Sequence, residues 1–533
     1  MNQYHTRSGP SPWVLGFEGR TLPHPLAAAI RAQRVSGLML FRDNLGDSVE
    51  EAWALREEIL SHVPAGQPFL FFADEEGGLI HPTAGMISSQ GTPWPAVPTP
   101  RAMGRIGKAQ DVRFVGQVLG ERLRHLGIHV DLAPSLDLDT EGKNGVIGSR
   151  SYGSDPERVA TLGWGFVRGL HATRTNACLK HYPGHGGTEA DSHKVLPTLP
   201  AAERPLHEKP FTDCLGRDTT DLPWLMTAHV DWGDGVPASL SRAVVGRLER
   251  RFPKHLVITD SLDMGAVSLQ DGAAAEALIA HNDVLLVGRD WDSGLRSITS
   301  IEEAVSSEPS MLAAVVRSRS RIRESWTAIA RRRRAAGADV ATASEGAKAT
   351  PEVLLERNER LAHLHRQSVR LDGKIATQPA GGWVWVLPET FAPHVDLRRF
   401  EAPSGKRRHC EECIWITPQD HEDGFASISE RLASETRPIL LGTVFRGRPS
   451  EAEREAWNTL LALPTLAVVA HLLDETWPSR DELDAAATAK TRPLVAFTGG
   501  PHTESLVGLA EALDLPDTKW EEHPDGTMGP KSV

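Results

Sequence analysis

Eight short, almost continuously apolar runs punctuate this chain from Trp13 to Val287, and each is followed by a polar loop and a helical pattern. The runs are Trp13–Phe17, Gly37–Phe41, Phe69–Ala73, Ile128–Leu132, Asn176–Lys180, Trp224–His229, His255–Asp260 and Asp283–Val287. A strand with one wet face alternates apolar and polar residues. These runs do not, which suits parallel strands covered on both faces. The stretches between them carry helical spacing: in Val112–Leu126, apolar residues recur at Val112, Val115, Leu119, Leu123 and Leu126, mostly three or four apart. Strand and helix repeating eight times suggests a (β/α)8 barrel, and a span of roughly 330 residues fits such a barrel with insertions. An open, doubly wound sheet alternates in the same way, and periodicity does not distinguish the two.

Beyond Val287 the pattern changes. A long polar helix ends in Arg331–Arg334, and residues 336–350 are rich in Ala, Gly, Ser and Thr, the composition of a linker. The four arginines read as the solvated end of that helix, the competing reading being a nucleic-acid or membrane patch. The expected division is a barrel over 1–335, the linker, and a smaller α/β sandwich over 351–533. The sandwich opens with a helix near Glu352–Val369, and strand-like runs follow at Trp383–Leu387, Ile414–Thr417, Ile439–Gly442, Leu466–Ala470 and Leu494–Thr498.

Composition narrows the function classes. Across 533 residues, 58 Lys and Arg face 70 Asp and Glu, a net charge of -12, which argues against a nucleic-acid partner. No apolar stretch approaches the roughly 20 residues needed to cross a bilayer, and Met1–Arg20 lacks the basic-then-apolar pattern of an export signal. A cytoplasmic location with no membrane partner is therefore expected. Cys178, Cys214, Cys410 and Cys413 are too few and scattered for a disulfide scaffold.

Ionisable residues gather where the runs end, the face on which a barrel of this kind carries its function. Asp74-Glu75-Glu76-Gly77-Gly78 follows the third run; Asp131, Asp137 and Asp139 lie at and beyond the fourth. The fifth leads into Lys180-His181-Tyr182-Pro183-Gly184-His185-Gly186 and then Asp191-Ser192-His193. The sixth ends in Thr227-Ala228-His229 and the seventh in Thr259-Asp260-Ser261. Each has a plainer reading: Asp260 as a helix cap, His181 and His185 as loop packing beside a Pro-Gly turn, His193 as an exposed loop histidine. His181, His185, Asp191 and His193 could also hold zinc, although their spacing matches no sharp zinc pattern. As a set they suit another chemistry. Asp260 can attack an electrophilic carbon, and a histidine with an aspartate two positions away can be oriented by it and can move a proton near neutral pH. Lys180, Arg150 and Asp74 can hold neighbouring hydroxyls through charge-assisted hydrogen bonds. The residues describe a polyol or sugar site.

Seven segments in order resemble glycoside hydrolase family 3, in its β-N-acetylglucosaminidase branch. They are Gly37–Phe41, Asp74–Gly78, Leu126–Ile128 leading to Ala133-Pro134, Val146–Gly153, Lys180–His193, Met226–His229, and Ile258–Asp260 with Met264-Gly265-Ala266. The resemblance implies that Asp260 is the nucleophile, His193 the general acid/base and Asp191 its orienting partner, while Asp74, Arg150, Lys180 and His181 grip the sugar. It implies a retaining double displacement, with an imidazole in place of the usual second carboxyl, and no metal or cofactor. Two positions depart from the family pattern: Leu79 stands where Arg is usual, and Gly187 where Asp is usual.

The implied function is exo-acting removal of terminal N-acetylglucosamine from short saccharides, with cell-wall muropeptides first and chitin fragments second. A phosphorylase using inorganic phosphate at the same site is a close rival. Participation by the substrate's own acetamido group, a catalytically idle sugar receptor and a metal hydrolase are the remaining alternatives.

Overall fold

The computed structural model describes residues 9–140, 144, 146–188, 196–217, 219–267 and 272–335. Beyond these it describes 351–367, 370–372, 383–388, 410–416, 425–432, 439–443, 457, 460–461, 466–471, 494–497, 520–522 and 528–530. Strands β1 (Trp13–Leu15), β2 (Gly37–Met39), β3 (Leu70–Ala73), β4 (Val130–Asp131), β5 (Asn176–Tyr182), β6 (Trp224–Thr227), β7 (Val257–Thr259) and β8 (Leu285–Val287) each form within one of the eight runs, β5 extending two residues past it. Between them lie α1 (His24–Arg31), α2 (Arg42–Leu45), α3 (Val49–Ser61), α4 (Pro100–Ile106), α5 (Ala109–His125), α6 (Pro156–Ala172), α7 (Arg204–Leu215), α8 (Arg242–Arg251) and α9 (Ala273–Ile279). After β8 come α10 (Trp291–Ser307) and α11 (Pro309–Ala335).

Every strand pairs in parallel with the next, and β8 returns to β1 with Leu285 opposite Trp13. A parallel bridge between Ile258 and Val284 joins β7 to β8, and the Thr259 N–H donates to the Val284 carbonyl at 3.0 Å. The ring closes, so this is a (β/α)8 barrel and the open-sheet alternative is excluded.

The helices start where capping chemistry allows. Ser48, Thr99, Asp155, Ser241 and Asp290 each accept a backbone N–H of the following helix from their side-chain oxygen. The apolar stripe read in Val112–Leu126 is the buried face of α5, with Val112, Val115, Leu119 and Leu123 all inside.

Residues inside the barrel pack with α11. Phe72, Val130, Cys178, Trp224, Met226 and Ile258 share one buried cluster with Ile322, Trp326 and Ile329, and the Trp224 indole N–H donates to Ser325 Oγ at 2.9 Å. This helix floors the end where the strands begin and leaves the carboxyl-terminal end as the open one. Two arginines at its end, Arg332 and Arg333, are engaged rather than solvated, while Arg331 is exposed. Arg333 is buried and donates to the Ile128 and Arg174 carbonyls, and Arg332 pairs with Asp221 at 2.8 Å. Loop carbonyls just ahead of β4 and β5 need donors on that underside, and guanidinium groups supply them.

Residues 336–350 lie outside the described part. Helix α12 (Pro351–Gln367) docks on the barrel flank: Arg357 pairs with Glu121, Arg360 reaches Asp111 at 2.8 Å, and Leu361 and Leu364 join the apolar cluster of α5 and α6. A second sheet follows, built from β9 (Arg370–Asp372), β10 (Trp383–Pro388), β11 (Cys410–Ile416), β12 (Ile439–Thr443), β13 (Leu466–His471), β14 (Leu494–Phe497), β15 (Trp520–Glu522) and β16 (Met528–Pro530), with α13 (Ala426–Leu432) between β11 and β12. Its order is β11-β10-β12-β13-β14-β9-β16-β15. The five apolar runs of the sequence form its parallel core. Its other three strands join antiparallel, so the sheet is mixed rather than purely parallel. Those three are short and carry no apolar run that would announce them.

Candidate active site

The open end of the barrel collects the charged side chains, and their order follows from where each strand stops. At the end of β3, Asp74 stays partly exposed while Glu75 and Glu76 are buried. The turn after them is tight: the Ile80 carbonyl accepts the N–H groups of Glu76 and Gly77 at 2.8 and 3.0 Å. Gly77 and Gly78 have φ of 90° and 62°, and a Cβ on Gly77 would lie 2.7 Å from Val97. Only glycine adopts that backbone cheaply.

Lys180, near the end of β5, is buried and reaches Asp74 Oδ1 at 2.5 Å and Glu76 Oε1 at 2.6 Å. Arg150 clasps Glu76 with two bonds, Nε to Oε2 at 2.9 Å and NH2 to Oε1 at 2.7 Å. Burial opposes the ionisation of Glu76, but Arg150 and then Lys180 outweigh it and pull its carboxyl to about 2. Burial likewise works against the ammonium of Lys180, and the Asp74 and Glu76 carboxylates overcome it, raising that group above its ordinary value. Two cations and two carboxylates thus form one network whose most open corner is Asp74, 33% exposed.

His181 points into the same space from β5. Its NH2 neighbour on Arg150, 3.3 Å from Nε2, can only donate, so Nε2 accepts and Nδ1 carries the proton given to Asp137 Oδ2 at 2.6 Å. Asp137 also accepts the His181 and His185 backbone N–H groups at 3.1 and 2.7 Å and the Ser135 hydroxyl at 3.0 Å. Burial pushes the other way, yet these partners hold the Asp137 carboxyl well below the usual range, His181 foremost. His185 is buried under the turn at Gly184; burial lowers its imidazole to about 4, and Thr188 Oγ1 lies 3.0 Å from its Nδ1. It is therefore neutral at physiological pH.

Asp260 follows β7. The next described helix, α9, does not start until Ala273, so Asp260 is not its cap. Its Oδ1 accepts the Ser261 N–H at 2.8 Å. Burial raises its affinity for a proton, while His181, His229, the Ser261 amide and Lys180 together outweigh that and keep it ionised below the ordinary aspartate range. His229, at the end of β6, is buried and fixed at both nitrogens, with Ser239 Oγ 2.7 Å from Nδ1 and the Ser261 carbonyl 2.9 Å from Nε2. A carbonyl can only accept, so Nε2 bears the proton. The ring braces the segment that carries Asp260.

The structure thus brings together five residues anticipated from sequence: Asp74, Arg150, Lys180, His181 and Asp260. The other two, Asp191 and His193, lie outside the described residues. Glu76, Asp137 and His229 are the members that sequence reasoning did not single out. Their strand-end positions were visible, but their partners lie tens to over a hundred residues away in the chain and only ring closure brings them near. Among the described residues, no group of three or more His, Cys, Asp or Glu side chains is arranged to hold a metal ion. The site offers an ionised carboxylate beside fixed donors, which suits attack on an electrophilic carbon of a polyhydroxylated ligand.

Comparison with known proteins agrees with this geometry. A β-hexosaminidase of Pseudomonas aeruginosa is 31% identical over 311 residues, covering 56% of this chain and 86% of that protein. One of Bordetella avium is 32% identical over 299 residues, covering 52% and 80%. A solved glycoside hydrolase family 3 β-N-acetylglucosaminidase from Paenibacillus sp. str. FPU-7 superposes with a TM-score of 0.75 at 24% identity, covering 96% of each chain, so the likeness in fold extends through the second sheet. The family described as "Glycosyl hydrolase family 3 N terminal domain" matches residues 15–324, from the first strand of the ring into the helix that floors it. Match and closed ring coincide over more than half of the chain, which belongs to glycoside hydrolase family 3.

Proposed function

We propose that this chain is an exo-acting, retaining β-N-acetylglucosaminidase. The observation that carries the reading is Asp260: an ionised carboxylate at the end of β7, on the open face of the barrel, with His181, His229 and Lys180 as its electrostatic neighbours. The names of the curated relatives support the same reading, since β-hexosaminidases act on N-acetylhexosaminides.

In this mechanism Asp74, backed by Lys180, accepts hydroxyl protons of the terminal sugar, while His181 Nε2 and Arg150 offer one acceptor and one set of donors beside it. Asp260 attacks the anomeric carbon and the bond to the leaving oxygen breaks as that oxygen takes a proton from His193. A water then gives a proton back to His193 and adds to the anomeric carbon, releasing Asp260. Asp191 orients His193. The roles of these two rest on the sequence pattern. We place muropeptide fragments first and chitin fragments second as the short saccharides that supply the leaving group, in a recycling role in the cytoplasm.

The test is turnover of an aryl N-acetyl-β-glucosaminide, with products identified in phosphate and in phosphate-free buffer. We expect free N-acetylglucosamine in both, and loss of turnover by a factor on the order of 10⁴ or more in Asp260→Asn, about 5 kcal/mol of barrier. Full activity of that variant would remove Asp260 from the reaction, and sugar 1-phosphate as the phosphate-buffer product would replace the hydrolase by a phosphorylase.

A further inference from the structure

Two histidines outside the sugar-facing set are joined by one peptide group. His365, 1% exposed on α12, has its Nε2 3.2 Å from the Ala96 carbonyl. The amide on the other side of the same peptide, the Val97 N–H, donates to His81 Nε2 at 3.1 Å. Because a backbone N–H can only donate, His81 Nε2 is an acceptor and its proton sits on Nδ1, which donates to Glu75 Oε1. The other carboxylate oxygen of Glu75 accepts the Thr83 N–H at 3.1 Å, and the Glu75 N–H donates to Asp131 Oδ1 at 2.9 Å. Glu75 and His81 are both buried. Val97 also closes the acidic turn, its carbonyl accepting the Gly78 N–H at 3.3 Å.

This chain of bonds ends at the centre of Asp74-Glu75-Glu76. The outer two carboxylates of that tripeptide hold Lys180, while the middle one is taken by His81 and the Thr83 N–H. We infer that His81 and His365 are positioning residues, through which α12, the first helix of the carboxyl-terminal half, sets the placement of Asp74 and Glu76. The coupling is physical at each link: α12 is anchored by Arg357 to Glu121, by Arg360 to Asp111 and over the Phe114 ring at 4.1 Å, and by Leu361 and Leu364, which share an apolar cluster with Val97. Buried hydrogen-bond chains of this kind hold geometry tightly because each unmade bond leaves a desolvated polar group behind. Among the described residues, the carboxyl-terminal half contributes none to the sugar site; α12 acts on it through this chain of bonds.

The inference rests on the proposed activity, and the full-length chain tests it. His81→Gln keeps an acceptor and a donor and His365→Gln keeps a donor; His81→Phe and His365→Leu keep bulk and lose both. We expect kcat/KM for the aryl N-acetyl-β-glucosaminide to fall about 10-fold in His365→Leu and more in His81→Phe, mostly through KM, with both Gln variants near wild type. In the double variant His365→Leu should add little to His81→Phe, since one chain is already cut. A lowered melting temperature with unchanged kcat/KM, equal loss in the Gln variants, or full additivity overturns the inference. If His81→Phe does not fold, the His365→Leu and His365→Gln pair decides alone. An inactive wild type would refute the proposed activity instead. The coupling is then read from hydrogen exchange at the Gly77 and Gly78 amides, which His365→Leu should speed several-fold and must leave unchanged if the coupling is absent.

Discussion

Replacing Glu76 by Gln removes one charge from the centre of the network while keeping its shape. The side chain is 1% exposed and accepts three charge-assisted bonds, from Arg150 Nε at 2.9 Å, Arg150 NH2 at 2.7 Å and Lys180 Nζ at 2.6 Å. An amide offers one oxygen, so whichever way it turns its NH2 group faces a donor. Breaking a buried ion pair from one side costs about 3–5 kcal/mol because the remaining charge stays desolvated. The depressed carboxyl gives the same scale: an ordinary glutamate at 4.5 against about 2 for Glu76 corresponds to stabilisation on the order of 3 kcal/mol at neutral pH. At a few degrees per kcal/mol for a large domain, the barrel's melting temperature should fall by roughly 5–10 °C. The pH dependence carries the sign. A carboxyl whose folded value is depressed contributes fully above its unfolded value and loses that contribution as pH falls towards the folded one. The gap between wild type and Glu76→Gln should thus be constant from neutral pH to about 5 and shrink from about 4.5 towards 2. Thermal unfolding followed by circular dichroism across that range measures it. A gap of less than about 1 °C at pH 7, or one that widens on acidification, would refute the reasoning.

Two further outcomes follow from the site and its support. In Asp137→Asn an amide must face four donors from His181, His185 and Ser135; kcat/KM should fall on the order of 100-fold, about 2.7 kcal/mol, and an unchanged value would free His181 from its carboxylate. At Gly187, which departs from the family's usual Asp, a Cβ would meet His207 Nε2 at 2.5 Å and Leu199 Cδ1 at 2.6 Å. Gly187→Asp should therefore cost about 1–3 kcal/mol in urea unfolding, with His207→Ala recovering part of the loss; a neutral single variant would show that the His207 ring moves aside without cost.

The Gly187 contact gives that departure a physical cause. His207 is fully buried beneath the turn that carries Gly184 and Gly187, so the space a side chain at 187 would need is filled from α7. The second departure, Leu79, sits in the turn closed by the Ile80 carbonyl, and nothing in the structure explains it. Neither change touches the corner where Asp74 faces the sugar site.

Local chemistry made the eight strands and most strand-end residues legible from sequence, because continuous apolar runs act within a few residues of themselves. Ring closure was not legible, since an open sheet has the same local pattern; the Ile258–Val284 pairing decides it. Arg333 departs from the expectation for the same reason: a charged helix end reads as solvated until the carbonyls that need it, at Ile128 and Arg174, are placed beneath it. Glu75 and Glu76 are adjacent and chemically identical, yet one faces Lys180 and the other His81. Sequence alone determined which residues carry charge to the open end of the barrel. Only tertiary structure decided which of those charges meet, because Coulomb and hydrogen-bond partners are chosen by distances of a few ångströms between groups up to 106 residues apart in the chain.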